Sequence, residues 1–133
     1  MEKIEIMVDY ATRLIGAPYL WGGNGPHFDC SGFVQEVLAS VGIDPRDDQT
    51  AQALYNHFEK FAEETLTRGS LLFYGASRDK ITHVAIHLGE GCMIEAGGGD
   101  SSTTTLERAN EQGAMVRIRP LRKNYVAVLD ILT

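Results

Sequence analysis

The residues of this chain that could do chemistry together are Cys30, His83 and Glu95. That chemistry would be attack by a thiolate on an acyl group. Cys30 closes a turn-rich stretch running from Gly16 to Phe33 and stands where an apolar-periodic segment begins. Val34, Val37, Leu38 and Val41 recur behind it at helical spacing. Asp29 is of the type that caps helices, which puts Cys30 in the first helical turn. A thiol there feels the positive end of the helix dipole and nearby unpaired amides, and both favour the thiolate. A lone cysteine is more often a small buried hydrophobe. The flanks argue the other way: Asp29 and Ser31 are polar, Gly32 admits another backbone, and the preceding loop carries glycines and aromatics.

A thiol nucleophile needs a base, and the chain offers His27, His57, His83 and His87. Residues 82–88 alternate as a strand, with His83, Ala85 and His87 on one face and Val84, Ile86 and Leu88 on the other. The small side chain of Ala85 would let the cysteine helix lie close on the histidine face. Residues 92–96 form the next strand, joined through Gly89-Glu90-Gly91. A two- or four-residue loop would set Glu95 opposite Ile86, burying a carboxylate among apolar groups at a cost of some ~1–3 kcal/mol or more. A three-residue loop pairs Leu88 with Cys92, Ile86 with Ile94 and Val84 with Ala96, so that one face is wholly apolar. Glu95 then lies diagonal to His83 and can hydrogen-bond its imidazole. This is a nucleophile, a base and an orienter. The same register makes Cys92 a core residue. His27 and His87 are weaker candidates for the base, and His57 belongs to an exposed acidic helix end.

The elements that must position these groups read as α+β, helices first and strands afterwards, with helices packed on a small antiparallel sheet. Residues 2–15 form an amphipathic helix with Ile4, Met7, Val8, Ala11, Leu14 and Ile15 on one face, stopped by Gly16 and Pro18. The loop 16–29 leads into the helix from Cys30 to about Ser40, and a third helix runs from about Asp48 to Phe58. Strands follow at 71–74, 82–88, 92–96, 114–119 and 125–131, with a short helix over 106–112.

The 133 residues are read as one domain, 1–133, 44% hydrophobic and 23% charged, large enough for a core without staples. Twelve basic against 18 acidic residues give −6, with no basic stripe, which argues against nucleic acid and anionic membranes as partners. Two cysteines exclude a disulfide framework and are too few thiols for zinc, so neither metal nor cofactor is expected. The N-terminus lacks a basic region followed by an apolar run, and no run approaches membrane-spanning length. The expectation is synthesis in the cytoplasm without a signal peptide, and no membrane insertion.

Four motifs, in order, resemble the NlpC-type cell-wall cysteine peptidases: Ala17-Pro-Tyr-Leu-Trp-Gly-Gly23, Phe28-Asp-Cys-Ser-Gly-Phe-Val34, Arg68-Gly-Ser-Leu-Leu-Phe73 and His83-Val-Ala-Ile-His-Leu-Gly89. The resemblance covers roughly residues 5–120. It implies a papain-like α+β core, with the cysteine at a helix N-terminus and the histidine on a facing strand. It also implies hydrolysis of peptidoglycan stem peptides, commonly between γ-D-glutamate and a diamino acid. By that resemblance Cys30 is the nucleophile and His83 the base, while Tyr19, Asp29 and Ser31 line the substrate side, where the family holds the peptide's amino end. The third position, usually histidine and sometimes asparagine or glutamine, is Glu95 here. Gly69-Ser70 replaces the usual Gly-Asp pair. The run from Glu95 through Gly99, and Met115–Pro120, are similar to phage-borne members, which act on the wall from a virion or at lysis. Two rivals stay open: a thiol amidase or acyltransferase on another acyl substrate, and a non-catalytic virion or cell-wall binding module of the same fold.

Overall fold

The computed structural model describes residues 2–23, 25 and 27–132; Met1, Asn24, Pro26 and Thr133, two of them in the approach loop, lie outside these. Four helices and five strands follow in the order α1 (Lys3–Arg13), α2 (Cys30–Ala39), α3 (Ala51–Phe58), β1 (Leu71–Gly75), β2 (Ile81–Gly89), β3 (Cys92–Gly97), α4 (Leu106–Gln112), β4 (Met115–Pro120) and β5 (Ala127–Leu129). The fold is α+β, as the order of patterns implies. The strands form one antiparallel sheet in the order β4-β3-β2-β1-β5, which puts the histidine and glutamate strands side by side at its centre.

Three elements differ from the apolar pattern by more than one residue at an end. α1 ends at Arg13, Gly16 turns the chain at φ +93°, and Ile15 is left 47% exposed rather than on the buried face. α3 starts at Ala51, because Arg46 and Asp47 sit at positive φ and Thr50 supplies the cap, accepting from the Ala53 amide. β5 keeps only three paired residues, bonded to β1 alone.

The two faces of the sheet have different jobs. Phe73, Val84, Ile86, Ile94, Ala96 and Val116 pack with Phe33, Val34 and Val37 of α2 and with Met7 and Leu54 of the other helices. Each fully buried Val, Ile, Leu, Met or Phe side chain contributes about 1.5–3 kcal/mol. Leu72, Tyr74, Ala85 and Met93 form a second, smaller cluster on the opposite face, closed by Leu121, Tyr125 and Val128. This corrects the role given to Ala85: it looks away from α2, which rests on the Val84–Ile86 face instead.

The hairpin register is also reached by a different route from the one expected. Ile86 does oppose Ile94, but Cys92 opposes Gly89 rather than Leu88. The turn is the two-residue Glu90-Gly91, both at positive φ as strand twist favours. A register shift between His87 and Gly89 absorbs the extra residue at Leu88, and that bulge restores the pairing that burial demands. Cys92 is accordingly half-buried at the hairpin's end, not in the core.

Candidate active site

The approach loop is built to deliver Cys30. Tyr19 and Phe28 bridge, and the backbones of Gly16, Ala17 and Tyr19 bond to Ala114, just before β4, and to Val116 within it. Asp29 caps α2 with Oδ1, accepting from the Gly32 amide at 2.7 Å, while Oδ2 accepts from the Gly22 amide at 3.1 Å. One carboxylate therefore fastens loop to helix. Ser31 Oγ donates to Asp29 Oδ1 at 3.3 Å. Burial pushes the Asp29 carboxyl up, against the three hydrogen bonds that favour its ionised form. Gly32 is needed for space, since a Cβ there would collide with the Gly23 carbonyl.

Cys30 is 9% exposed, and its Sγ lies 4.0 Å from the Thr82 carbonyl oxygen. Although α2 rests on the far face of the sheet, its first turn reaches past Thr82 at the start of β2, where His83 stands. His83 Nε2 is 2.7 Å from Glu95 Oε1, which leaves Nδ1 as the nitrogen available to the thiol. Burial pulls the imidazolium down, but hydrogen bonding and charge from Cys30 and Glu95 outweigh it and push His83 up to about 9. Glu95 is 3% exposed. Burial pushes its carboxyl up, and His83, Arg122 and Arg117 overcome that, holding it down at about 2.

Two cavities of about 480 and 290 Å³ meet over Cys30 and share Tyr19, Trp21 and Thr82. His83, Glu95 and the turn from Gly97 to Ser101 line the larger; Asp29, Ser31 and Thr50 line the smaller. Tyr19 is 4% exposed. Burial, with Cys30 and Asp29 nearby, pushes its phenol well above the ordinary value, so it meets the cleft as a protonated hydroxyl. Gly99 packs on its ring so closely that a Cβ would clash.

The NlpC/P60 family pattern matches residues 16–127, from the turn after α1 to the first residue of β5. The chain belongs to the NlpC/P60 family. It is 40% identical over 101 residues to the bifunctional muramidase/DL-endopeptidase CwlT of Bacillus subtilis (strain 168), covering 72% of this chain and 30% of that protein. Among solved structures, the peptidoglycan hydrolase RipB of Mycobacterium tuberculosis matches at 28% identity and TM-score 0.73, over 98% of this chain and 65% of that one. RipD of the same organism, described as a non-catalytic NlpC/p60 domain protein adapted to peptidoglycan binding, shares the fold at 21% identity and TM-score 0.72, over 99% of each chain.

In this NlpC/P60 chain the other histidines stand apart from the cleft lining. His87 is buried with Nδ1 2.8 Å from the Thr67 carbonyl, as a strand histidine satisfied by backbone. His57 is exposed and packs edge-on against Phe58 and Phe61. His27 lies in the approach loop, its Nδ1 buried without a partner. Sequence reasoning missed Arg117 and Arg122, which both bond to Glu95. The signal for Arg117 was present in β4, where it alternates with Val116 and Ile118 and pairs directly with Glu95. Arg122 follows Pro120 in a segment without periodicity. Trp21, a residue of the first motif, is 56% exposed and lines both cavities.

Proposed function

We propose that this NlpC/P60 domain hydrolyses amide bonds in the short peptides of bacterial peptidoglycan, at the bond between γ-D-glutamate and the diamino acid. The observation that carries the reading is the 2.7 Å contact of His83 with Glu95 in the wall of the cleft that Cys30 also lines. The names of the relatives, CwlT and RipB, supply the substrate class.

The mechanism starts from a thiolate and an imidazolium. Cys30 Sγ attacks the carbonyl carbon, forming a tetrahedral oxyanion that the amides of the first turn of α2 stabilise. The C–N bond breaks as His83 gives its proton to the departing amine, which leaves an acyl-enzyme. His83, now neutral, takes a proton from water; the hydroxide adds to the thioester, and expulsion of the thiolate regenerates the starting pair. Glu95 holds the ring and stabilises its charged form. Tyr19 offers a hydroxyl to the peptide. Asp29 puts negative charge near the smaller cavity, where a peptide's amino end would lie, although both of its oxygens already accept backbone amides.

Digestion of purified muropeptides with product masses tests this. Wild-type protein should create new termini inside the stem peptide, and Cys30→Ala should lose at least about 10³-fold in rate with its circular dichroism unchanged. Equal turnover by Cys30→Ala would remove the nucleophile assignment. Muropeptide binding without cleavage by the wild type would favour a binding module, and acyl exchange without new peptide termini a transferase.

A further inference from the structure

Glu95 is a buried carboxylate with an imidazole on one oxygen. Its surroundings go beyond what orienting a ring requires. Arg117 Nε and Nη2 each lie 3.3 Å from Oε2, and Arg122 Nη2 lies 3.3 Å from Oε1, the oxygen that also meets His83. The carboxylate is thus shared among three cations. Space for this is made by two glycines. A Cβ at Gly97 would stand 2.5 Å from Glu95 Oε2 and 3.2 Å from Arg117 Nη2, and one at Gly98 would stand 3.0 Å from Arg117 Nη1.

Arg122 is itself held. Its guanidinium lies 4.5 Å from the centre of the Tyr74 ring, and the Tyr74 hydroxyl donates to the Arg122 carbonyl at 2.9 Å. The amide of Leu121 bonds to the Gly91 carbonyl, and the Leu121 side chain packs into the second cluster. The segment after β4 is therefore pinned to the sheet at the point that delivers Arg122 to Glu95. The Tyr74 ring is also 5.9 Å from that of His83, so one tyrosine touches both ends of the arrangement.

We infer that Arg117 and Arg122 are positioning residues that keep Glu95 ionised and divide its negative charge between themselves and His83, so that the imidazolium stays able to release its proton to the leaving amine. The reasoning is electrostatic. A carboxylate whose sole counterion was the imidazolium would, through Nε2, hold the whole ring in its charged form and make the Nδ1 proton harder to release, since at low effective dielectric an unshared charge acts strongly over this distance. Two guanidinium groups lower the negative potential at Nε2 and offset the cost of burying Glu95. A neutral third residue would need no such pair. The groups facing His83 and Glu95 are Cys30 from α2, Tyr74 from β1, Arg117 from β4 and Arg122 after it, with Tyr19 and Asp100 across the cleft.

The inference builds on the proposed roles of Cys30, His83 and Glu95, but its first readout needs no peptidoglycan. His83 ring signals are titrated by NMR in the substrate-free full chain for wild type, Arg122→Met, Arg117→Met/Arg122→Met and Arg117→Lys/Arg122→Lys; kcat and KM are then measured on muropeptides. The Met variants should raise the His83 midpoint above the wild-type value by about half a unit or more. Their kcat should fall about 10-fold with KM held within about 2-fold, the scale typical of lost outer-sphere partners. The Lys pair should keep the wild-type midpoint. Arg122 is half exposed, so Arg122→Met decides the matter should the double variant not fold. A midpoint that stays or falls in folded Met variants overturns the inference, as does a raised midpoint with unchanged kcat. A wild type inert on muropeptides would remove the proposed activity and leave the titration to judge charge sharing.

Discussion

Because His83 and Glu95 lean on one another, their ion pair should be visible in the pH dependence of stability as well as in catalysis. His83 rises from 6.5 to about 9, so its contribution is complete below pH 6.5 and is lost as pH climbs through about 9. Glu95 falls from 4.5 to about 2, so its contribution is present above pH 4.5 and is lost as pH drops through about 2. The His83–Glu95 contact enters both shifts and is counted once; Cys30 adds to the rise at His83, and Arg122 and Arg117 to the fall at Glu95. Urea unfolding should therefore weaken between pH 7 and 10, and His83→Ala should flatten that slope; a level wild-type curve over the range would contradict the pairing. Glu95→Gln keeps the shape but strands two guanidinium groups. It should cost about 1–3 kcal/mol in the same urea measurement and return the His83 midpoint toward 6.5. At this scale the sequence was informative where a residue's neighbours in the chain set its environment. Asp29, Cys30 and Ser31 could be placed because a helix cap is local. Arg122 could not, because what brings it to Glu95 is Tyr74, 48 positions away.

Secondary-structure elements were legible wherever one face had to be buried and less so where a turn could absorb a residue. Pairing Ile86 with Ile94 followed from burial alone, and the bulge at Leu88 is the means by which a two-residue turn meets that demand. Periodicity could not reveal the side of the sheet on which α2 sits: it places His83 and Ala85 on one face without saying that Cys30 comes round the strand's end. That junction yields its own prediction. Gly32 is in a helix, where alanine is favoured by about 1 kcal/mol. Its Cβ would nevertheless drive α2 off the Gly23 carbonyl and stand 2.9 Å from Asp29 Oδ1. Gly32→Ala should thus lower stability by about 2 kcal/mol or more in urea unfolding, since overpacking outweighs propensity here. It should also slow alkylation of Cys30 by iodoacetamide. A stabilised, equally reactive variant would show that the close approach is not required.

On the scale of the whole molecule, the cleft and the chain's extremities occupy opposite ends of β2. Gly69 bonds to the His87 carbonyl, four residues and about 13 Å along the strand from His83. A Cβ on Gly69 would touch Ile4 on one side and Leu132 on the other, so the first helix and the last described residues converge on that turn. Asp130 donates its amide to Glu63 nearby and fixes the exit. Glu2 and Leu132 thus lie together at the pole away from the cleft. Bridging Glu2 to Leu132 with about six flexible residues and reopening the backbone between exposed Glu59 and Lys60 should give a circular permutant that unfolds cooperatively and keeps Cys30 as reactive as before. Tension applied at Glu2 and Leu132 would likewise load α1 and the β5–β1 pairing before it reached the thiol.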